Sequence, residues 1–457
     1  MITLFLSSCS DPKPKRPVEK SDTVDVRLNV YFESSMSMDG YVRGDNEFES
    51  AMMKLMGSLD RVLQPNTLRS GREMQGNTYQ LRQATLFTAE CAAKDSLVAI
   101  SQVSEPRIDQ ISKWFQRVEP TNLGSSKGRM SSELATVLKL AFSNVQRGSV
   151  NVLISDMILS PTISAEGISA TADDYQTLMQ RILLKEQAGI ENALTPLIAE
   201  SKIPISMLGC RFESRYYGLF TPEIIRCTPV KLRANKRTNR MELMRRPFYV
   251  WIVGDAEVIK HISSNLSFDD LKIDGLTDVC HITDSRRKGR SLKSEVKMPR
   301  QVKFPPALVT QSSYAVDDNG RISVSRLGKA NDICYAVDVT VPINVRYAAI
   351  EATAKAINAG HADSVVAVSA LPNGKQRLFI RSRFANVDAT SNSGTLGMLT
   401  CRKPMWFNQY STDDDDRTIE DEGIQRTTFG LRYLMDGVWK SFHPADAVIG
   451  SFEVAYN

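Results

Sequence analysis

The sequence predicts an α/β protein: a sheet with helices on both faces in the first half, followed by a β-rich α+β half. Three observations carry this reading. Apolar, strand-like runs at 24–32, 150–155 and 203–209 alternate with stretches of helical spacing, which implies a parallel sheet covered by helices. Near residue 226 the pattern changes to basic runs and then short strands with polar turns. At 457 residues the chain is also long for a single hydrophobic core, so two domains are expected.

Each element follows from its own pattern. Residues 24–32 (VDVRLNVYF) mix alternation with a continuous apolar end, as a buried central strand does. Residues 47–63 set Phe48, Met52, Met53, Leu55, Met56, Leu59 and Leu63 at helical spacing. Residues 79–87 read as a second strand. Residues 108–118 read as a short helix with Ile108, Ile111, Trp114 and Phe115 on one face. Residues 131–144 read as another, with Leu134, Val137, Leu138, Ala141 and Phe142 on one stripe. Residues 150–155 (VNVLIS) suit a buried strand, 173–199 a long helix, whole or broken, and 203–209 (IPISMLG) the next strand.

Composition narrows the class. Apolar residues make up 42% and charged residues 24%, which excludes a disordered chain. The net charge of +5 is too weak to indicate nucleic acid as a partner. No apolar run reaches the roughly 20 residues of a membrane helix.

In open α/β sheets ligands bind at the C-terminal ends of strands, and two strand ends here carry oxygen ligands. Residues 24–32 run into Glu33-Ser34-Ser35-Met36-Ser37-Met38-Asp39-Gly40, and residues 150–155 into Asp156. Hard oxygens converging there suit a hard divalent cation. The run Glu33-x-Ser35-x-Ser37, with Met38 and Gly40, resembles the Asp-x-Ser-x-Ser loop of von Willebrand factor A (vWA) domains. It departs from the family by Glu33 in place of Asp. The family has an acidic residue after its fourth strand, where this chain has Asp156. It also has a hydroxyl in the loop before the intervening helix. Residues 124–132 (GSSKGRMSS) occupy that place, so the resemblance gives the hydroxyl to Ser131 or Ser132, with Ser125 and Ser126 as further choices.

Over residues 22–225 the resemblance implies a Rossmann-like fold and an Mg²⁺ or Ca²⁺ site built from Glu33, Ser35, Ser37, Ser131 or Ser132, and Asp156. A coordination position would stay open for an acidic group of a protein or glycan partner. vWA domains are mostly binding modules, so no catalysis is implied. The metal-free alternative has the serines capping the loop and the next helix.

The N terminus carries a second resemblance. Ile2-Thr3-Leu4-Phe5 is apolar and leads into Leu6-Ser7-Ser8-Cys9. This resembles a bacterial lipoprotein signal, cleaved after an aliphatic residue and two small ones, before the lipidated cysteine. It implies a lipid anchor on Cys9 and a place in the bacterial cell envelope, on the periplasmic or surface face. The apolar stretch is short and no basic residue precedes it, so the start codon is expected upstream. Residues 10–22, rich in Pro and Lys, read as an extended tether. The expected organisation is a partial lipoprotein signal at 1–9, a tether at 10–22, a vWA-like domain at 23–225 and a β-rich domain at 226–457. The rival is a chance apolar tail on a cytosolic protein. None of the seven cysteines forms a C-x-x-C pair. Cys210 and Cys227 close the shortest loop and are the disulfide candidates, with buried free thiols as the other reading.

Basic runs at 231–246 and 286–303 suggest either an anionic partner or solvated faces; the second reading is preferred, and no interleaved aromatics mark a nucleic-acid surface. Residues 248–253, 256–266 and 279–283 suggest a small strand–helix–strand unit. Strands follow at 333–341, 364–371, 376–382, 427–434 and 448–455, with an Ala-rich helix at 347–358, giving a sandwich-like half. Asp413-Asp414-Asp415-Asp416 reads as a solvated acidic loop, because it lacks the EF-hand pattern. His261, His281, His361 and His443 show no metalloprotease spacing, and no G-x-S-x-G elbow or Walker loop occurs. The expectation is a binding or adhesion lipoprotein rather than an enzyme. Its alternative is a metal-independent structural subunit of an envelope or secretion assembly.

Overall fold

The computed structural model describes residues 23–64, 78–91, 98–103, 107–123, 129, 132–159, 172–217, 231–235, 237, 239–266, 273–284, 295–300, 302–308, 313–316, 322–327, 330–340, 349–356, 361–371, 375–384, 393–413, 426–442 and 448–456. Residues 1–22 with Cys9, and also Ser125, Ser126, Ser131 and Cys227, lie outside these. So do most of the 286–303 basic run and Asp414–Asp416 of the acidic loop.

The protein is a mixed α/β structure. In chain order come β1 (Thr23–Glu33), α1 (Glu47–Val62), β2 (Thr78–Cys91), β3 (Val98–Val103), α2 (Ile108–Phe115), α3 (Leu134–Phe142), β4 (Ser149–Ser155), α4 (Ala172–Glu200), β5 (Ile205–Arg215), β6 (Lys231–Asn235), β7 (Arg240–Leu243), β8 (Arg245–Asp255), α5 (Ala256–Asn265) and β9 (Leu276–Thr283). The main sheet has seven strands in the order β3-β2-β1-β4-β8-β5-β9. Strands β2, β1 and β4 are parallel, while β8 runs antiparallel to both β4 and β5. The parallel sheet expected from the sequence is therefore a mixed one. Strand order is set by pairings between distant segments, such as Arg27 with Ser149 and Val150 with Gly254, which local periodicity does not encode. The sheet also runs through β9, well past residue 225, where the composition shift had suggested a boundary. β8 and β9 are not a separate unit with α5; they flank β5 inside this sheet.

Alternation along the strands builds two cores, one on each face of the sheet. Val26, Leu28, Val30, Val152, Ile154, Leu208, Phe248 and Val250 meet α1, α2 and α5 on one face. Leu153, Met207, Tyr249, Trp251 and Val253 meet α3, α4 and the C-terminal helices on the other. The α1 helix starts where Asn46 accepts the Phe48 N–H at 3.0 Å, an N-cap. The α4 helix is continuous: its 29 residues hold Pro196 near the end.

The rest of the chain adds β10 (Glu295–Lys297), β11 (Ser313–Val316), β12 (Ile322–Arg326), β13 (Asp332–Thr340), β14 (Ala349–Ala356), β15 (His361–Ala370), β16 (Lys375–Phe384), β17 (Ser393–Arg402), α6 (Trp406–Gln409), β18 (Ser411–Thr412), β19 (Thr428–Phe429), α7 (Leu431–Phe442) and β20 (Val448–Tyr456). Two further sheets form, β10-β13-β16-β15 and β11-β12-β20-β17-β14, so the β-rich second half is present. The Ala-rich helix expected at 347–358 is strand β14, paired antiparallel with β17. Its sequence alternates Ile350, Ala352, Ala354 and Ala356 with Glu351, Thr353 and Lys355, and that period of two outweighs alanine's helix propensity. The strand expected at 427–434 ends at Phe429. Gly430 takes a φ of +68°, a turn suited to glycine, and α7 follows. That helix buries Leu431, Leu434, Met435, Val438 and Phe442 beside α4, so C-terminal residues complete the core of the main sheet.

Cys210, Cys280 and Cys334 are free, buried thiols. Cys210 sits inside the α1/α2/α5 core, which removes it as a disulfide partner for Cys227.

Candidate functional site

The site forms where β1 and β4 end. The pairing Phe32↔Ile154 sets Glu33 and Ser155 side by side at the strand tips. Both belong to the face covered by α3, and Ser132 lies just before that helix. Ser132 and Ser155 each donate a hydroxyl hydrogen bond to one carboxylate oxygen of Glu33. The Ser35 hydroxyl also bonds this carboxylate, and the Ser35 and Ser37 hydroxyls lie 3.1 Å apart. Asp156 follows Ser155 and accepts the Ile158 N–H at 3.1 Å. Glu33, Ser35, Ser37, Ser132 and Asp156 thus lie at one corner of the sheet.

Burial and charge make this corner unusual. Glu33 and Asp156 are each 1% exposed. Burial, then the negative charge of Asp156, push the Glu33 carboxyl up to about 7, against the pull of its three hydroxyl partners. Two carboxylates held together away from water favour whatever neutralises one of them, a proton or a cation. The donor set of two carboxylates and several hydroxyls is chemically suited to Mg²⁺ or Ca²⁺. Among the described residues no group of three His, Cys, Asp or Glu side chains is placed to hold a metal, so a cation here would depend on the serine oxygens.

Two residues that sequence reasoning did not single out shape the corner. Ser155 was read only as the end of an apolar strand. Its hydroxyl donates to Glu33 and accepts the Met157 N–H at 2.8 Å, holding Met157 at a φ of 57°. Arg129, hidden in the Ser-rich segment, is 4% exposed. Its guanidinium donates to the carbonyls of Ser34 and Ser35 and pairs with Asp39. It thereby brings a fixed positive charge to the serine loop. The Asp39 carboxyl nevertheless lies above its ordinary range, because burial outweighs Arg129.

The loop is stitched to the end of β5. Tyr216 donates its hydroxyl to the Ser37 carbonyl at 3.0 Å, and its ring lies against Gly40. A Cβ at Gly40 would stand 2.3 Å from that ring, so only glycine allows this approach. Tyr217 N–H reaches the Gly40 carbonyl at 2.9 Å.

His261 contacts the Val62 carbonyl at 3.1 Å, and burial pushes the His281 imidazole down to about 4. The 231–246 basic run includes the β6–β7 hairpin. Among the described residues no helix is long and apolar enough to cross a membrane.

No protein-family model and no curated protein matches the chain. Among solved structures, the human COPII-coat protein Sec24c is similar at 8% identity, over 80% of this chain and 44% of that one, with a TM-score of 0.16. The chain thus spans less than half of that protein's length, and so low a score carries no argument about fold or function.

Proposed function

We propose that the chain is a binding lipoprotein of the bacterial cell envelope, held to the membrane through lipid on Cys9 and reaching its partner over the 10–22 tether. The α/β part is read as vWA-like, and its partner as a protein or glycan. The observation that supports this most is the convergence of Glu33, Ser35, Ser37, Ser132 and Asp156 at the ends of β1 and β4. In this reading Ser35, Ser37 and Ser132 offer hydroxyl oxygens to Mg²⁺ or Ca²⁺, and Asp156 and Glu33 offer carboxylates. When bound, the cation would present an electrophilic position to an acidic group of the partner. The protein's own residues hold that position and perform no bond-breaking chemistry.

A second reading is favoured by one specific observation. Arg129 already supplies a fixed cation to the serine loop through Ser34, Ser35 and Asp39. A metal-independent structural subunit of an envelope or secretion assembly needs nothing more. Melting curves decide between the two. The full chain is stripped with EDTA and titrated with Mg²⁺, Ca²⁺ and Mn²⁺, beside Ser35→Ala and Asp156→Ala. The binding reading expects the melting temperature to rise with a cation in the parent and not in the variants, because a ligand of the native state stabilises it by mass action. Flat curves in the parent select the scaffold.

A further inference from the structure

A groove on the outer side of α2 belongs to neither reading. It encloses about 430 Å³ and is lined by Gln110, Lys113, Trp114, Arg117 and Asn122, within the size range of small-ligand sites. Lys113 and Arg117 lie one helical turn apart and are exposed, with the half-buried Trp114 between them. Asp109 of the same helix pairs with Arg107 instead, at 3.0 Å. Among the described residues no carboxylate pairs with Lys113 or Arg117. The Gln110 amide oxygen is buried without a hydrogen-bond donor. The inner side of Trp114 is braced edge-to-face on Phe32 and Phe115, at 5.7 and 5.1 Å between ring centres. Its position is therefore fixed by the core.

The groove borders the strand ends. The turn Pro120–Asn122 follows α2, and the Pro120 carbonyl contacts Arg129, the residue that holds the Ser34 and Ser35 carbonyls. Asn122 is held in that turn by the Glu119 N–H, at 3.0 Å from its side-chain oxygen, which directs its amide nitrogen toward other acceptors.

We propose that this groove binds an anionic saccharide, with Trp114 carrying a sugar face, Lys113 and Arg117 taking the acid group, and Gln110 and Asn122 meeting hydroxyls. The chemistry follows from the parts. A rigid aromatic surface suits a flat, partly apolar ring. Two cations that pair with no carboxylate among the described residues suit a carboxylate or sulfate. Side-chain amides both donate and accept, as sugar hydroxyls do. The proposal does not depend on a cation at Glu33 and Asp156.

The test is calorimetric titration of the full chain with digalacturonate and with unsaturated chondroitin disaccharides, sulfated and unsulfated. Neutral digalactose, inorganic phosphate and AMP serve as controls. The expected result is a Kd of about 1 mM or tighter for at least one acidic disaccharide. It should weaken about tenfold or more in the Lys113→Gln/Arg117→Gln double variant, and also in Gln110→Leu. Asp156→Ala should leave it unchanged, which separates this groove from the cation cluster. A melting curve on each variant excludes loss of fold as the cause. Equal binding of the neutral disaccharide, tighter binding of phosphate or AMP, no binding of any acidic disaccharide at 10-fold above that Kd, or full binding by the double variant would each overturn the proposal.

Discussion

Two buried charged corners lie on the same face of the sheet, and they are treated oppositely. At the end of β1 and β4, Glu33 and Asp156 stand together, and the Glu33 carboxyl is pushed up to about 7. On β5, Arg211 is fully buried, and both terminal nitrogens of its guanidinium have partners. It donates to Thr277 at 2.7 Å, Glu213 at 2.9 Å and the Arg426 carbonyl at 2.8 Å, lies 3.6 Å from Asp278, and stacks 3.5 Å from the centre of the Tyr410 ring. The first corner brings two acidic groups together away from water, and perturbed carboxyls of this kind are common at functional sites. The second is balanced by elements far apart in sequence and acts as a fastener between β5, β9 and the C-terminal segment.

That contrast breaks most visibly at Arg211. The Arg211→Met variant keeps the length of the side chain but leaves Glu213 and Asp278 facing each other without the guanidinium. Removing one partner of a buried pair costs about 3–5 kcal/mol. Urea denaturation should show a loss in that range. A loss below about 1 kcal/mol would mean that the corner is solvated in solution and holds nothing together.

The Glu33 corner should respond to pH instead. Its folded value of about 7 lies above the ordinary 4.5, so the folded protein keeps this proton longer than the unfolded chain does. The contribution is complete below about pH 4.5 and is lost as pH rises through about 7. A shift of this size corresponds to a loss on the order of 3 kcal/mol. Glu33→Gln removes the charge, so the difference in urea stability between variant and parent should grow from near zero at pH 4.5 to favour the variant at pH 8. Taking the difference cancels His281, whose lowered value costs stability at the acid end in both proteins. A flat difference would place the Glu33 carboxylate in contact with a neutralising group.

The parts of this site that were legible in the sequence are those fixed by local spacing. Glu33, Ser35 and Ser37 come from a strand running into a serine loop, and Asp156 from the first residue past the strand-like run 150–155. Ser155 and Arg129 were not legible, because their roles depend on pairings outside their own segments. Ser155 meets Glu33 only through the register of β1 with β4, and Arg129 meets Asp39 across 90 residues. The fold divides in the same way. The buried strands β4 and β8 are written in their own side chains. The insertion of β8 between β4 and β5 is a long-range choice, and α7 depended on reading Gly430 as a turn rather than as part of a strand. In β14 the difference is of another kind: the period of two is present in its own sequence, and pairing with β17 outweighs alanine's helix propensity.

The smallest effect separates the two jobs of Ser155. Its hydroxyl donates to Glu33 and accepts from the N–H of Met157, which holds a left-handed φ of 57°. In Ser155→Ala both bonds are lost, at a net cost of about 2 kcal/mol in stability. Some of that cost belongs to Met157, since the left-handed conformation is itself unfavourable by about 1–2 kcal/mol for a side chain of this kind. Stability alone therefore does not report on the carboxylate. The Glu33 carboxyl carbon, followed by ¹³C NMR through a pH titration, does. The Ser155 bond pulls the Glu33 value down, so its loss should move the midpoint above that of the parent. Ser132→Ala, which removes the bond to the other oxygen, should move it the same way. Unmoved midpoints in both variants would show that water replaces the hydroxyls, and that the corner is open enough for solvent to do the work assigned here to the two serines.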